Sequence, residues 1–136
     1  MSATIATYTE SKAMIWTGRV MSGVVILFLL FDGAIKLIPL DVVTETSREL
    51  GIPTDLARTL GVLTLICTVL YAIPLTSVLG AVLMTGYLGG AIYVHMSNGS
   101  PLLSHTLFGI YLALLMWGGL YLRDPQLRAI FPFRRA

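Results

Sequence analysis

A bundle of four membrane-spanning helices is the fold this sequence predicts, and three observations carry it. The 136 residues are 56% hydrophobic and only 12% charged, with a mean hydropathy of +0.83; soluble domains carry roughly 25% charged residues. Four apolar stretches, 15–38, 56–73, 75–96 and 102–122, each match the roughly 17–25 residues that cross a bilayer as a helix. None alternates polar and apolar as a barrel strand does, and helices satisfy their own backbone groups inside lipid. The class is therefore all-α and multi-pass, with the lipid bilayer as its first partner. The chain divides into an N-terminal segment 1–14, a transmembrane domain 15–122 and a basic, aromatic tail 123–136.

The first span is too long for a cleavable signal peptide, contains Asp32 and Lys36, and is followed by no small-x-small cleavage site, so it reads as a permanent helix. Pro39 stops it. The run LDVVTETSREL (40–50) places Leu40, Val43, Ser47 and Leu50 near one face and Glu45, Arg48 and Glu49 elsewhere, and Gly51 and Pro53 close it. That pattern predicts a short amphipathic helix on the outer surface between the first two spans. It either covers the mouth of the bundle or serves as a plain connector.

Thr54 or Asp55 is placed to cap the second helix, and Thr76 or Ser77 the third. Asn98-Gly99 ends the third, and Ser100-Pro101 supplies a cap and first-turn proline for the fourth, so the last two spans form a tight hairpin. Gly86 and Gly90 make a GxxxG within MTGYLGGAI (84–92). Such faces let helices approach closely in lipid, here within the bundle, with a homodimer seam as the alternative. Cys67 is the single cysteine and lies mid-span, which rules out an intrachain disulfide or a redox cysteine pair and leaves it as a small packing residue.

A formal net charge of +2 says little about partners, and nothing in the charge pattern suggests nucleic acid. Its distribution says more. Lys12, Arg19, Arg123, Arg128, Arg134 and Arg135 fall on one side of the four spans, against Lys36, Arg48 and Arg58 on the other. The positive-inside rule then places both termini in the cytoplasm. The tail RDPQLRAIFPFRRA (123–136) is expected at the headgroups, with aromatics dipping inward and arginines among phosphates, as an anchor or as a dock for a membrane-complex partner.

The residues that carry chemistry lie in the outer half. Asp32 and Lys36 are four apart in LFLLFDGAIKLI (27–38), where lipid charges at least ~2.5–3.5 kcal/mol for an ionised side chain, so a functional reading is the default. Asp32 precedes Ile38 by six residues, which sets it about 9 Å in from the outer end at 1.5 Å per residue. His95 ends the third span and His105 opens the fourth, both on the outer side. Tyr87 lies two turns below His95, and Thr64 reaches a similar depth. Each span thus offers a polar group to one layer, a candidate pocket in which Asp32, Lys36, His95 and His105 are the catalytic candidates and Tyr87 and Thr64 ligand contacts. Taken singly, Lys36 snorkelling to the headgroups and Asp32 serving as structural glue are the plain alternatives.

A carboxylate beside its counter-ion, with histidines that exchange protons near neutral pH, suits a quinone-like or other small lipophilic molecule. Two histidines and one aspartate match no metal motif in spacing, and paired haem ligands do not fit histidines at one membrane edge, so no metal is assigned and the cofactor stays open. No P-loop, dinucleotide fingerprint, nucleophile elbow or HExxH occurs.

The runs WTGRVMSGVVILFLLFDGAIKLI (16–38), LGVLTLICTVLYAIP (60–74), TSVLGAVLMTGYLGGAIYVHM (76–96) and WGGLYLRDPQLRAIFP (117–132) resemble the DoxX-like family of small bacterial four-helix membrane proteins. The resemblance implies an inner-membrane four-helix bundle, with Asp32, Lys36, His95 and His105 at motif positions. It also implies a link to redox chemistry, since the wider group is named from a subunit of a thiosulfate:quinone oxidoreductase and some relatives are linked to thiol-stress complexes. Relatives often read ELIC where this chain has Thr64-Leu65-Ile66-Cys67, and an arginine often follows the proline where Leu75 stands. Losing that glutamate leaves Asp32 as the one deeply embedded acid, so Thr64 and Leu75 mark a changed ligand or a lost activity.

Two functions from different classes follow: a small-molecule membrane enzyme or redox subunit, and a non-enzymatic membrane scaffold or partner subunit. Carriage of a small solute ranks lower, because four helices leave little room for alternating access and no inverted repeat is evident.

Overall fold

A computed structural model describes the backbone of residues 12–38 and 41–134, and all their side chains except those of Val42, Val43, Thr54 and His105. The helices are α1 (Lys12–Leu37), α2 (Asp41–Glu49), α3 (Thr54–Ala72), a 3-10 turn (Pro74–Thr76), α4 (Ser77–Ser97), a π turn (Leu102–Thr106), α5 (Phe108–Arg123) and α6 (Pro125–Ile130). Four helical stretches, Lys12–Leu37, Asp55–Ala72, Pro74–Ser97 and Leu102–Arg123, are long and apolar enough to cross a membrane. The chain is an all-α, multi-pass membrane bundle, as the sequence predicts. Pro39, expected to stop the first helix, and Leu40, expected on the apolar face of the amphipathic helix, lie outside the described residues.

α1 packs against α3 and α5, and α4 packs against the same two, so α1 and α4 occupy opposite corners of the bundle. Val25 and Leu29 of α1 meet Cys67 and Tyr71 of α3, Met84 and Leu88 of α4, and Leu112 and Met116 of α5 in one buried cluster. Cys67 is a packing residue here. Leu27, Phe31, Leu83 and Leu114 point away from that cluster and are exposed, forming the belt that lipid covers.

Glycine sets how closely α1 approaches its neighbours. A Cβ on Gly33 would lie 2.8 Å from Leu65 and 3.2 Å from the Gly61 carbonyl; one on Gly18 would lie 2.7 Å from the Gly119 carbonyl. α1 therefore crosses α3 at Gly33/Gly61 and α5 at Gly18/Gly119, and van der Waals contact of backbones holds these crossings in lipid. The expectation that Gly86 and Gly90 supply such a seam within the bundle is corrected, because a Cβ at either would meet nothing within 4 Å. Their face is turned to open space rather than to a helix backbone.

The helix ends bring further corrections. α4 has no side-chain cap. Thr76 Oγ1 donates to the Leu70 carbonyl (2.7 Å) and Ser77 Oγ to the Tyr71 and Ile73 carbonyls (2.7 and 2.9 Å), satisfying the orphan acceptors of α3 instead. α3 likewise starts without a side-chain cap, so Asp55 does not serve as one; the Thr54 side chain lies outside the described residues. Pro101 opens a π turn rather than an α-helix, with the Thr106 and Leu107 amides donating to the carbonyls of Pro101 (3.1 Å) and Leu102 (2.9 Å). Gly99 (φ +68°) ends α4 as expected. Gly51 (φ +72°) closes α2, its amide donating to the Arg48 carbonyl and that of Ile52 to the Ser47 carbonyl, a Schellman arrangement.

The tail folds back on the bundle. Asp124 Oδ1 caps α6 by accepting from the amides of Gln126 (3.0 Å) and Leu127 (3.3 Å). Arg128 is buried and donates through Nη1 to the Tyr121 and Leu122 carbonyls (2.8 and 3.0 Å). This corrects the expectation for Arg128, which the unpaired carbonyls at the end of α5 draw inward, while Arg134 is exposed. Phe131 does turn inward, stacking on Trp117 at 4.9 Å.

Candidate functional site

Since Gly18 near the start of α1 meets Gly119 near the end of α5, those two helix ends share one side of the bundle. The opposite, distal side holds a cavity of about 540 Å³. The last turns of α1 contribute Asp32, Ile35 and Lys36, and the first turns of α3 contribute Leu56, Ala57 and Leu60. α4 forms a long wall running from Gly86 and Tyr87 through Gly90 and Val94 to His95. α2 and the residues after it roof the space with Thr46, Ser47, Leu50 and Ile52. Ser47 is buried beneath the roof while Glu45, Arg48 and Glu49 are exposed, so amphipathicity orients α2 as the sequence predicts. Asn98 Nδ2 donates to the Leu50 carbonyl (3.0 Å) and ties the roof to the end of α4.

Lys36 is the centre of the polar wall. Its Nζ donates to Asp32 Oδ2 at 2.7 Å and to the Tyr87 hydroxyl at 3.1 Å, and lies 5.6 Å from the Tyr87 ring centroid. The first contact follows from helical spacing, which stacks residues four apart on one face. The second joins opposite corners of the bundle. The Lys36 and Asp32 side chains are 24% and 28% exposed, so the pair is largely withdrawn from solvent and lines the cavity. Lys36 thus points to partners within the bundle rather than snorkelling. No described group contacts Asp32 Oδ1 or accepts the Tyr87 hydroxyl hydrogen, and among the described residues no buried side-chain nitrogen or oxygen lacks a partner. The remaining valences of Asp32 and Tyr87 therefore reach accessible space.

Of the six sequence candidates, Asp32, Lys36, Tyr87 and His95 line this one cavity. His95 stands near the roof, its Nδ1 3.1 Å from Ser100 Oγ. Thr64 is fully buried one turn deeper than Leu60, whose carbonyl accepts from its Oγ1 at 2.9 Å, and it does not line the cavity. The His105 side chain lies outside the described residues. Among the described residues, no three His, Cys, Asp or Glu side chains gather as a metal-holding group.

A second polar cluster, on the side where α1 begins, escaped the sequence reading. The fully buried Tyr71 donates its hydroxyl to the Met116 carbonyl (2.6 Å) and lies 2.9 Å from Ser22 Oγ. Arg123 Nε donates to the same Ser22 oxygen (3.0 Å), and its guanidinium sits 5.5 Å from the Tyr71 ring centroid. Here α1, α3 and α5 are clamped by groups whose bonds satisfy one another. One serine and one tyrosine in separate apolar runs gave no local signal. Between α4 and α5 runs an apolar groove of about 790 Å³, lined by residues including Ala113, Leu114, Trp117 and Phe131. Trp117 Nε1 donates to Thr85 Oγ1 (2.8 Å) at its edge.

A sequence profile described as the DoxX-like family matches residues 20–119, a stretch that includes most of α1, all of α2, α3 and α4, and most of α5. No curated protein and no solved structure gives a match.

Proposed function

The chain belongs to the DoxX-like family, and on that footing we propose that it is a bacterial inner-membrane protein whose distal cavity binds a small lipophilic, quinone-like molecule for a redox-associated membrane enzyme or complex. One observation carries the reading: Lys36 bonds both Asp32 on its own helix and Tyr87 on α4, bringing the three polar groups together in a 540 Å³ cavity whose lining is otherwise largely apolar. That volume falls in the range of small-molecule sites, which are mostly apolar with a few polar groups that fix orientation. An ion pair set into a lipid-facing helix is costly unless it is used.

The roles follow from position. The Lys36 ammonium and Tyr87 hydroxyl donate to a ligand oxygen, while Ile35, Leu56, Leu60 and Val94 accept the apolar body. Asp32 holds Lys36 and accepts a proton. His95, near the roof, passes protons toward the aqueous side, and His105 is proposed to assist there. Thr64 supports the floor behind Leu60. The excess of cations on one side of the spans, Lys12, Arg19, Arg123, Arg128, Arg134 and Arg135, supports a topology with both termini in the cytoplasm.

The test is binding of decylbenzoquinone to the full chain purified in mild detergent, followed by equilibrium dialysis, with mass spectrometry of any lipid extracted alongside. Saturable binding is expected, weakened about tenfold or more by Lys36→Ala, since a hydrogen bond from a charged donor contributes about 1.5–3 kcal/mol, and roughly two- to tenfold by Tyr87→Phe, whose neutral donor contributes about 0.5–1.5 kcal/mol. Absence of saturable binding would overturn the reading. The alternative, a non-enzymatic partner subunit, draws on the open groove between α4 and α5. A stoichiometric protein that co-purifies with no bound small molecule would favour it.

A further inference from the structure

From the same cavity, and resting on the reading above, we infer that the ligand is uncharged and that Asp32 is the residue that keeps anions out. Among the residues lining the cavity, Asp32 and Lys36 are the charged pair, joined at 2.7 Å. Their charges cancel where the ligand head would sit. A lone lysine in such a site would recruit fatty-acid carboxylates or lipid phosphates. This lysine already has its carboxylate, and a second anion beside it falls within reach of Asp32, where the partly buried setting weakens screening of the repulsion without abolishing it.

The hydrogen-bond inventory agrees. Tyr87 accepts from Lys36 through its oxygen and retains a hydrogen that no described group accepts. Asp32 uses Oδ2 for Lys36 and leaves Oδ1 without a described partner. The wall therefore offers two kinds of contact to a ligand: a phenolic donor for a carbonyl oxygen, and a carboxylate acceptor for a hydroxyl. An uncharged hydroxyl head on an apolar body meets both, and an uncharged carbonyl head meets the donor while bringing no charge for Asp32 to repel. A carboxylate or phosphate meets the donor and is repelled by the acceptor. Tyr87 and Lys36 read the oxygen, Lys36 also holds Tyr87 and Asp32 in place, and Asp32 reads the charge.

A matched pair of probes tests this: para-octylacetophenone, an uncharged ketone, and para-octylbenzoate, its near-isosteric anion. Each is titrated at neutral pH into the full chain in uncharged detergent. The wild type is expected to bind the ketone about tenfold or more tightly than the benzoate, and Asp32→Asn, which leaves Lys36 cationic and unpaired, to reverse the order. Lys36→Gln, with the acid retained, is expected to weaken the ketone without admitting the benzoate. Equal or tighter binding of benzoate by the wild type overturns the inference while leaving a binding site in place. That comparison needs no variant, so it decides even if Asp32→Asn fails to fold. An unchanged preference in a folded Asp32→Asn overturns it as well. If neither probe binds the wild type, the ligand-binding reading itself falls, and this inference with it.

Discussion

Lys36 on α1 donates to Tyr87 on α4 across the diagonal of the bundle, at 3.1 Å. These two helices otherwise touch mainly through α3 and α5, which pack against both. The bond therefore serves as a cross-brace as well as part of the cavity wall, and it depends on Asp32 to hold the ammonium in place.

Removing the ammonium should cost stability as well as binding. Breaking a buried ion pair by deleting one partner costs about 3–5 kcal/mol. Lys36 and Asp32 are about a quarter exposed, so screening reduces the expectation for Lys36→Met to about 1–3 kcal/mol. The double variant Asp32→Asn/Lys36→Met should recover much of that loss. Thermal unfolding in one detergent checks both; a double variant less stable than the single would mean the stranded carboxylate is not the cause.

The glycines should divide into two behaviours. Gly86→Leu adds bulk where a Cβ meets nothing within 4 Å and the side chain enters the cavity. Helix propensity favours leucine over glycine by up to about 1 kcal/mol, so the fold should hold while decylbenzoquinone binding is lost. Gly33→Ala puts a methyl 2.8 Å from Leu65 and should destabilise by about 1–3 kcal/mol. Parallel melting and binding curves separate the two outcomes.

Tyr71→Phe should act on stability alone. It strips a buried hydroxyl from the Met116 carbonyl and Ser22, an expected loss of about 1–3 kcal/mol. Tyr71 is absent from the walls of the distal cavity, so ligand affinity should be unchanged once the protein is folded. A parallel fall in affinity would show that the two polar clusters communicate.

Orientation can be read by cysteine labelling. Leu75, 96% exposed in the turn between α3 and α4, should as Leu75→Cys be shielded from an impermeant maleimide added outside spheroplasts. Ser97→Cys at the distal end of α4 should react. The native Cys67 is buried and gives a low background. The opposite pattern would reverse the proposed topology and put the cavity on the cytoplasmic side.

How much was legible in the sequence follows from what each signal needs. The four spans are run-length properties, and the depths of Asp32, Lys36, Tyr87 and His95 follow from counting turns along helices of alternating direction, so their shared level was accessible. Which helix meets which was not. Gly86 and Gly90 carry the local signature of a packing face, yet the close crossings use Gly33 with Gly61 and Gly18 with Gly119. Each of those pairs joins two separate helices and shows no spacing within either. The same holds for Ser22, Tyr71 and Arg123, which come from three helices. Depth alone puts Thr64 at the level of the cavity, but its azimuth around α3 sends its hydroxyl to the Leu60 carbonyl. Arg128 reads as a surface cation until α6 folds back beneath the end of α5.

The buried face of α1 runs Gly18, Ser22, Val25, Leu29, Gly33, with bare backbone contact at both ends. A helix pinned at two such points can neither slide nor roll, since either motion would bring a side chain where only a hydrogen fits. Scaffold and recognition are thus written in different residues. The glycines set where the cavity lies, and in the proposed reading positions 32, 36 and 87 would decide what it holds. A bundle arranged in this way can change its guest by substitution at a few wall positions while its architecture stays fixed.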